Sequence, residues 1–366
     1  MKEFESVEEL KEYLANVSEV LEIAVQSLDL RQIEEMMLLK TFKNCIFLGC
    51  KMTQNIQEKI LKENYIFPTI DVPYNIYPNK LYDKESLFNN YDPTAPESYE
   101  LTLDKVIYNH YIKTGKETSV LKETLARRLH DHSITDSLQE FLSNYDERKV
   151  VAVMGGHGLS RDDISYKQVA EISKTLTESG YLLVSGGGPG AMEATHLGAW
   201  FANKLNQELD EAINYLSKAP KYNNPNWLPT AFEVLNKFPT TNYNSLGIPT
   251  WLYGHEPPTP FATHIGKYFA NSVREEGLLA IAKGGVIFAP GSAGTMQEIF
   301  QDIAQNHYES FGYASPMVFL NKKYWSYDRP IYPIIELMKL RGNLKNLDIG
   351  LYDSNDEVIS HLKSFV

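Results

Sequence analysis

A glutamate late in the chain follows a turn of small residues that could hold a phosphate. The run from Val286 to Glu298 reads VIFAPGSAGTMQE. Its apolar start predicts a buried strand, its small residues a tight turn, and its end a helix that carries Glu298. Glycine lets the backbone approach a ligand closely, and the start of a helix offers free N–H groups to an anion. Since Glu298 would repel that anion, we expect it to act as a base or beside a developing cation.

Another glycine loop, SGGGPGAMEA, occupies residues 185–194 and directly follows an apolar run at 181–184. Because it comes earlier in the chain, we call it the first glycine loop and the one at 291–294 the second. Upstream, Val150–Met154 predicts a strand buried on both faces, and it ends at Gly155 and Gly156. A helix is expected from Ser160, as its N-cap, to about Glu178. Strand–helix–strand–helix order predicts an α/β fold with a doubly wound, Rossmann-like parallel sheet. Both glycine loops would then lie at the carboxyl ends of its strands, where such sheets bind ligands.

The glycine loops are also compatible with two competing structures. One is a dinucleotide-binding fold, but the stretch from Gly155 to Gly158 lacks the G-x-G-x-x-G spacing, and no acidic residue ends the next strand. In the other, both loops are no more than tight turns from strand to helix.

A third strand is predicted at Gly247–Trp251, and a long helix from about residue 260 to 282. On that helix His264, Asn271 and Arg274 would project from one side. This side is either a solvated polar face or the lining of the cleft.

The chain divides at about residue 145 in this interpretation. Residues 1–145 predict a smaller N-terminal α/β segment without an arrangement of residues that indicates chemistry, and residues 146–366 predict the nucleotide-binding domain. Within it, residues 206–244 are rich in Asn, Pro, Lys and Tyr and are interpreted as an insertion, either a lid or an interface.

Composition excludes several function classes. The formal net charge of −12, without a basic block, argues against nucleic-acid binding. No apolar run is long enough for a membrane helix, and no signal peptide is apparent, so we expect a cytoplasmic protein. Cys45 and Cys50 are expected to be inert thiols. No cluster of His, Cys and Asp suggests a metal, and no cofactor is expected.

Three stretches together resemble the LOG family, once mislabelled as lysine decarboxylases. They are GGGPGAME at 186–193, Arg274, and PGSAGTMQE at 290–298. The resemblance covers about residues 148–366 and implies hydrolysis of the N-glycosidic bond of a nucleoside 5′-monophosphate, which releases free base and ribose 5-phosphate. It also implies a homodimer or a higher homo-oligomer. The alternative is a nucleotide sensor or carrier that binds without turnover.

The resemblance assigns roles to single residues. Glu298 and Arg274 fall on the catalytic glutamate and arginine. The phosphate-binding positions are Gly187, Gly188, Gly190, Gly291, Ser292, Gly294 and Thr295. Gly156, Met192, His264 and Asn271 complete the expected cleft. Ser292-Ala293 departs from the family's Gly-x, the first loop is one residue shorter than in the plant-type pattern, and residues 206–244 are additional.

Overall fold

The computed structural model describes residues 1–365, which divide into two compact units. The first contains residues 1–81 and 114–139, and the second contains residues 82–113 and the chain from residue 140 onward. The single boundary expected near residue 145 is therefore replaced by a division that returns residues 82–113 to the second unit. Backbone bonds explain this return, because Tyr82 N–H donates to the Ile265 carbonyl at 3.0 Å and Ile265 N–H donates back at 2.7 Å.

The first unit winds its chain so that short strands stack in parallel. Its elements are β1 (Lys2–Phe4), α1 (Val7–Ala15), β2 (Glu19–Leu21), β3 (Ile23–Gln26), α2 (Glu34–Leu39), β4 (Thr41–Lys43), β5 (Ile46–Leu48), α3 (Gln54–Ile60) and β6 (Tyr65–Phe67). One sheet has the order β1-β3-β5-β6, and a second pairs β2 with β4. The N-terminal segment is thus α/β, as the sequence predicts.

Successive turns of this unit bend at equivalent places. Glu22 and Asn44 have φ of 53° and 55°, and Ser27 and Gly49 have φ of 58° and 63°. Each left-handed residue redirects the chain at the end of a short strand. At Gly49 a side chain is also excluded by space, because a Cβ would stand 2.5 Å from the ring of Tyr77. The recurrence lies in backbone conformation and not in residue identity, so the sequence shows no obvious repeat.

Three α-helices follow within residues 82–145. They are α4 (Lys84–Leu87), α5 (Leu103–Thr114) and α6 (Leu121–Leu142). Among residues 1–365, none of the helices combines the length and the apolar character that crossing a bilayer requires.

The main sheet of the second unit is entirely parallel. Its strands are β7 (Val150–Met154), β8 (Leu182–Ser185), β9 (Ser245–Gly247), β10 (His264–Ile265), β11 (Gly285–Phe288), β12 (Pro316–Leu320) and β13 (Asp348–Tyr352). Their order is β10-β9-β8-β7-β11-β12-β13. After β7, the chain adds β8, β9 and β10 in turn on one side of it. It then returns to the other side of β7 and adds β11, β12 and β13 in turn. This topology confirms the predicted fold class.

Helices cover the sheet and bury both faces of its central strands. They are α7 (Ile164–Glu178), α8 (Ala191–Trp200), α9 (Asn206–Leu216), α10 (Trp227–Lys237), α11 (Asn271–Ile281), α12 (Ala293–His307), α13 (Ile331–Leu340) and α14 (Asn355–Lys363). The N-cap of α7 is Asp163, whose side chain accepts from Ser165 N–H at 2.7 Å, rather than the predicted Ser160.

Residues 206–244 are part of the core rather than a polar lid. They form α9 and α10, whose buried residues, among them Leu209, Leu216, Val234 and Leu235, join the same apolar cluster as β7 and α7. The polar residues that suggested an exposed insertion lie in the connections and on the outer helix faces.

The prediction of a long helix from residue 260 to 282 is wrong. His264 belongs to the edge strand β10, and the helix begins only at Asn271. Tertiary pairing overrides the local pattern here, because β10 bonds in parallel with β9 through His264 and Leu246.

A buried ion pair holds residues 82–113 to the rest of the second unit. Lys267 donates to the Asp104 carboxylate, and their side chains are 1% and 0% exposed. Tyr99 O–H donates to the same carboxylate at 2.7 Å, and the Lys267 ammonium lies 5.2 Å from the centre of the Trp251 ring. Burial lowers the pKa of Lys267, and the charge of Asp104 opposes that effect. Removal of either charge would leave the other without compensation.

We therefore expect Asp104→Asn to lower the free energy of unfolding by about 3–5 kcal/mol, measured by urea denaturation. The double variant Asp104→Asn with Lys267→Met should recover most of that loss, because no isolated charge remains. Glu211→Gln, which breaks the exposed pair with Lys237, is the control and should change stability little. A double variant as unstable as the single one would contradict a charge-pair role for Asp104.

Candidate functional site

A cavity of about 420 Å³ opens where the strand order reverses, between the ends of β7 and β11. At such a point the following helices leave the sheet in opposite directions and a crevice remains. The volume suits a small organic ligand. Of the predicted site residues, seven line it, namely Gly156, Met192, Arg274, Ser292, Gly294, Thr295 and Glu298.

The second glycine loop supplies an open helix N-terminus. Ser292 is the N-cap of α12, and its side chain makes no capping bond. Met296 N–H is the first to bond back, to the Ser292 carbonyl at 3.0 Å, so the amides before it lack an acceptor within the helix. A Cβ built on Gly294 would meet nothing within 4 Å. Ligand atoms can therefore reach these N–H groups directly.

The first glycine loop is occupied by protein. A Cβ on Gly187 would lie 2.9 Å from Pro249 Cδ, and one on Gly190 would lie 2.3 Å from the Gly156 carbonyl oxygen. Both glycines also have positive φ, 69° and 70°. Ala191 N–H, the first of α8, already donates to the Gly156 carbonyl at 3.3 Å. Packing thus accounts for these glycines.

Four of the predicted phosphate-binding residues do not line the cavity, namely Gly187, Gly188, Gly190 and Gly291. Glycine at position 291 leaves room for the side chain of Thr295, because a Cβ there would stand 2.1 Å from Thr295 Oγ1.

Glu298 and Arg274 meet inside the cavity. Arg274 Nη1 lies 3.8 Å from Glu298 Oε1, and the two side chains are 12% and 17% exposed. Burial raises the pKa of Glu298 to about 7, the positive charge of Arg274 lowers it, and the negative charge of Glu275 raises it further. The Nε of Arg274 is buried without a hydrogen-bond partner among the described residues. The pair thus offers a carboxyl group that titrates near neutrality and a guanidinium with unused donors.

His264 and Asn271 lie outside the cavity lining. The ring of His264 packs on Phe141 with centroids 4.3 Å apart, and burial lowers the pKa of the imidazole. Asn271 opens α11, and its side-chain oxygen is buried without a hydrogen-bond partner among the described residues. Because β10 replaces the start of the predicted helix, His264 does not share a helix face with Arg274.

The cavity also contains polar and aromatic residues to which the sequence assigns no role. They are His157, Tyr222, Tyr253, His255, Glu256 and Glu275. Each lies in a connection or in the first turns of a helix, where type and spacing carry little signal. For His157, Tyr253, His255 and Glu256, a position after the end of a strand is the feature that could have pointed to them. Among residues 1–365, no group of three or more His, Cys, Asp and Glu side chains is placed to hold a metal ion.

A buried arginine fixes the helix after the first glycine loop. Arg161 donates from Nε to Glu193 Oε2 at 2.7 Å, and Tyr166 O–H donates to the same oxygen at 2.9 Å. Arg161 Nη1 donates to the Trp227 carbonyl at 3.1 Å and to Thr230 Oγ1 at 2.9 Å. Since Glu193 lies on α8 and Trp227 on α10, this one side chain ties the inserted segment to the glycine loop.

Comparison with known proteins gives only distant likenesses. No protein-family model and no curated protein matches the sequence. A molybdenum cofactor binding protein from Rippkaea orientalis matches with 14% identity and a TM-score of 0.37, over 59% of this chain and 96% of that one. A molybdenum cofactor carrier protein from Chlamydomonas reinhardtii matches with 13% identity and a TM-score of 0.34, over 59% and 96%. These scores are too low to indicate what this chain binds.

The raised pKa of Glu298 has a consequence for stability. Its folded value of about 7 exceeds the value of 4.5 for a free carboxyl, so the folded protein binds more protons between these limits and loses stability as the pH rises through them. We expect Glu298→Gln to be more stable than wild type by about 2–3 kcal/mol at pH 8 and equal to it near pH 4.5. Urea denaturation across this range measures the difference. The exposed neighbour Glu276, changed to Gln, is the control; a pH-independent difference for Glu298→Gln would refute this assignment.

Proposed function

We propose that this cleft binds a nucleoside 5′-monophosphate and hydrolyses its N-glycosidic bond. The observation that carries the proposal is the position of Glu298, a mostly buried carboxyl on the same helix as the open anion-binding N-terminus, beside Arg274. The resemblance of these stretches to the LOG family supports the same reaction.

The N-terminus of α12 supports the binding of a phosphate in this cavity. The free amides at residues 293–295 and the positive end of the helix dipole suit a phosphate, and open space at Gly294 allows close approach. The first glycine loop would serve this phosphate only indirectly, since its glycines pack against protein. We therefore assign phosphate binding to the second loop alone.

The reaction needs what Glu298 and Arg274 can supply. Breakage of a ribosyl bond develops positive charge on the sugar and requires an activated water. A carboxyl with a pKa of about 7 is largely ionised just above neutrality, so it can stabilise that charge or accept the proton of the water. Arg274 lines the same cavity, so its guanidinium can hold the phosphate or the departing base.

A carrier that binds without turnover is the second candidate. The separation of 3.8 Å between Glu298 and Arg274 is also what an ordinary ion pair would give, without any catalytic role.

Glu298→Gln distinguishes the two candidates. For a hydrolase, the variant should lose at least about 100-fold in release of free base, because it cannot ionise, while affinity for the monophosphate stays within a few-fold. Base release by chromatography and binding by calorimetry are measured on the same preparations, with Glu276→Gln as control. Wild-type protein that binds a monophosphate and releases no base would identify the carrier.

The phosphate assignment predicts a preference for nucleotides over nucleosides. Two or three charged hydrogen bonds of about 1.5–3 kcal/mol each imply a kcat/KM ratio on the order of 10³ or more between AMP and adenosine. Gly294→Val should remove most of this preference, because the side chain would enter the space above the free amides. Gly277→Val is the matched control, since Gly277 is also helical with no atom within 4 Å of its Cβ position, but lies outside the cavity lining. Equal kcat/KM for AMP and adenosine with wild type would refute the phosphate site.

A further inference from the structure

Glu256 brings a second carboxylate to the cavity, next to the first glycine loop. Its side chain is 13% exposed, and Oε2 lies 3.8 Å from the Cβ position of Gly188. Oε1 lies 3.7 Å from His157 Nδ1 and 3.7 Å from His255 Nε2, beyond hydrogen-bond distance. Among the described residues, no side chain donates a hydrogen bond to this carboxylate. It is thus an acceptor with open positions, facing a cavity.

Glu256 does not lie in the part of the cavity to which the phosphate is assigned. Its negative charge would repel a phosphate, and the phosphate is assigned to α12, which follows β11. Glu256 lies over the loop that follows β8, and β8 and β11 are separated by β7, which corresponds to about 10 Å. With the phosphate at α12 and the sugar beside Glu298, the remaining part of the ligand extends toward Glu256. That part is the base.

Aromatic rings stand near Glu256. Tyr253 belongs to the same connection, and Tyr222 comes from the segment between α9 and α10; both line the cavity. The ring of Tyr222 meets His157 edge to face, with centroids 5.7 Å apart and an interplanar angle of 85°. Aromatic faces stack on any base with little discrimination. Selection among bases must then come from a polar group of the same cavity lining, such as Glu256.

We propose that Glu256 selects the base, and that the cleft takes nucleotides whose base carries an exocyclic amino group. An amino group donates to a carboxylate, whereas a keto oxygen in its place would be repelled. The inference rests on the proposed function for its orientation of the nucleotide, and it gives the inserted segment a role as a stacking wall through Tyr222.

Two ligand pairs that differ by one amino group test this selection. They are AMP with purine riboside 5′-monophosphate, and GMP with IMP. Binding to the full chain carrying Glu298→Gln is measured by calorimetry, so that turnover does not interfere. In at least one pair the amino-bearing member should bind about 10- to 100-fold more tightly, as expected for a hydrogen bond to a charged acceptor.

Variants at two positions separate selection from stacking. Glu256→Gln keeps a neutral acceptor and should reduce the ratio within the pair to a few-fold, and Glu256→Met should abolish it. Tyr222→Ala should weaken the binding of both members of a pair by about tenfold or more and leave the ratio of their affinities unchanged. Glu233→Gln, an exposed position on α10 with the same change of charge, is the control and should alter neither quantity.

The outcomes separate this inference from the proposed reaction. A ratio near one in both pairs, or a ratio that survives Glu256→Met, overturns base selection by Glu256, even if wild-type protein releases free base. A ratio that Glu256→Met abolishes supports it, even if wild-type protein releases no base and the hydrolase proposal fails. Failure of every monophosphate to bind overturns both.

Discussion

Main chain packs directly on main chain where β7, β8 and β11 end, and the site depends on this contact. A Cβ on Gly190 would stand 2.3 Å from the Gly156 carbonyl oxygen, and Gly156 N–H donates to the Pro290 carbonyl at 3.0 Å. Such close approach leaves the three loops no freedom to shift independently. The directions in which α8 and α12 leave the sheet are set by it, and so is the cavity between them.

The two glycine loops have different tasks, although their sequences look alike. The first uses its glycines to fit against protein, and the second leaves Gly294 bare toward the cavity. Glu256, Glu275 and Glu298 line the same cavity as Arg274. The negative charge of Glu275 and the burial of the site both keep Glu298 from ionising readily, which places its titration near neutral pH. The raised pKa of Glu298 is thus a property of its surroundings rather than of the motif that contains it.

The sequence predicts the parts of the fold whose signal is local. Continuous apolar runs identify β7 and β11, and the motif residues Glu298 and Arg274 do share the cavity. What it misses depends on distant partners. His264 lies in a strand because of its pairing with β9, and α9 and α10 are buried because their apolar faces meet a core made by other segments. Whether a glycine faces the cavity or other protein atoms also depends on distant segments of the chain. Gly187 and Gly294 therefore cannot be distinguished from spacing alone.

The bonds of Arg161 also link the first glycine loop to a segment that comes later in the chain. Glu193 is fully buried, and the arginine that neutralises it also donates to the carbonyls of Ala219 and Trp227 and to Thr230 Oγ1. When β7, β8 and the first glycine loop have left the ribosome, the groups that satisfy Arg161 have not yet been translated. The hydrogen bonds of Arg161 are therefore complete only when α10 is present, and β11, which completes the cavity, comes later still in the chain.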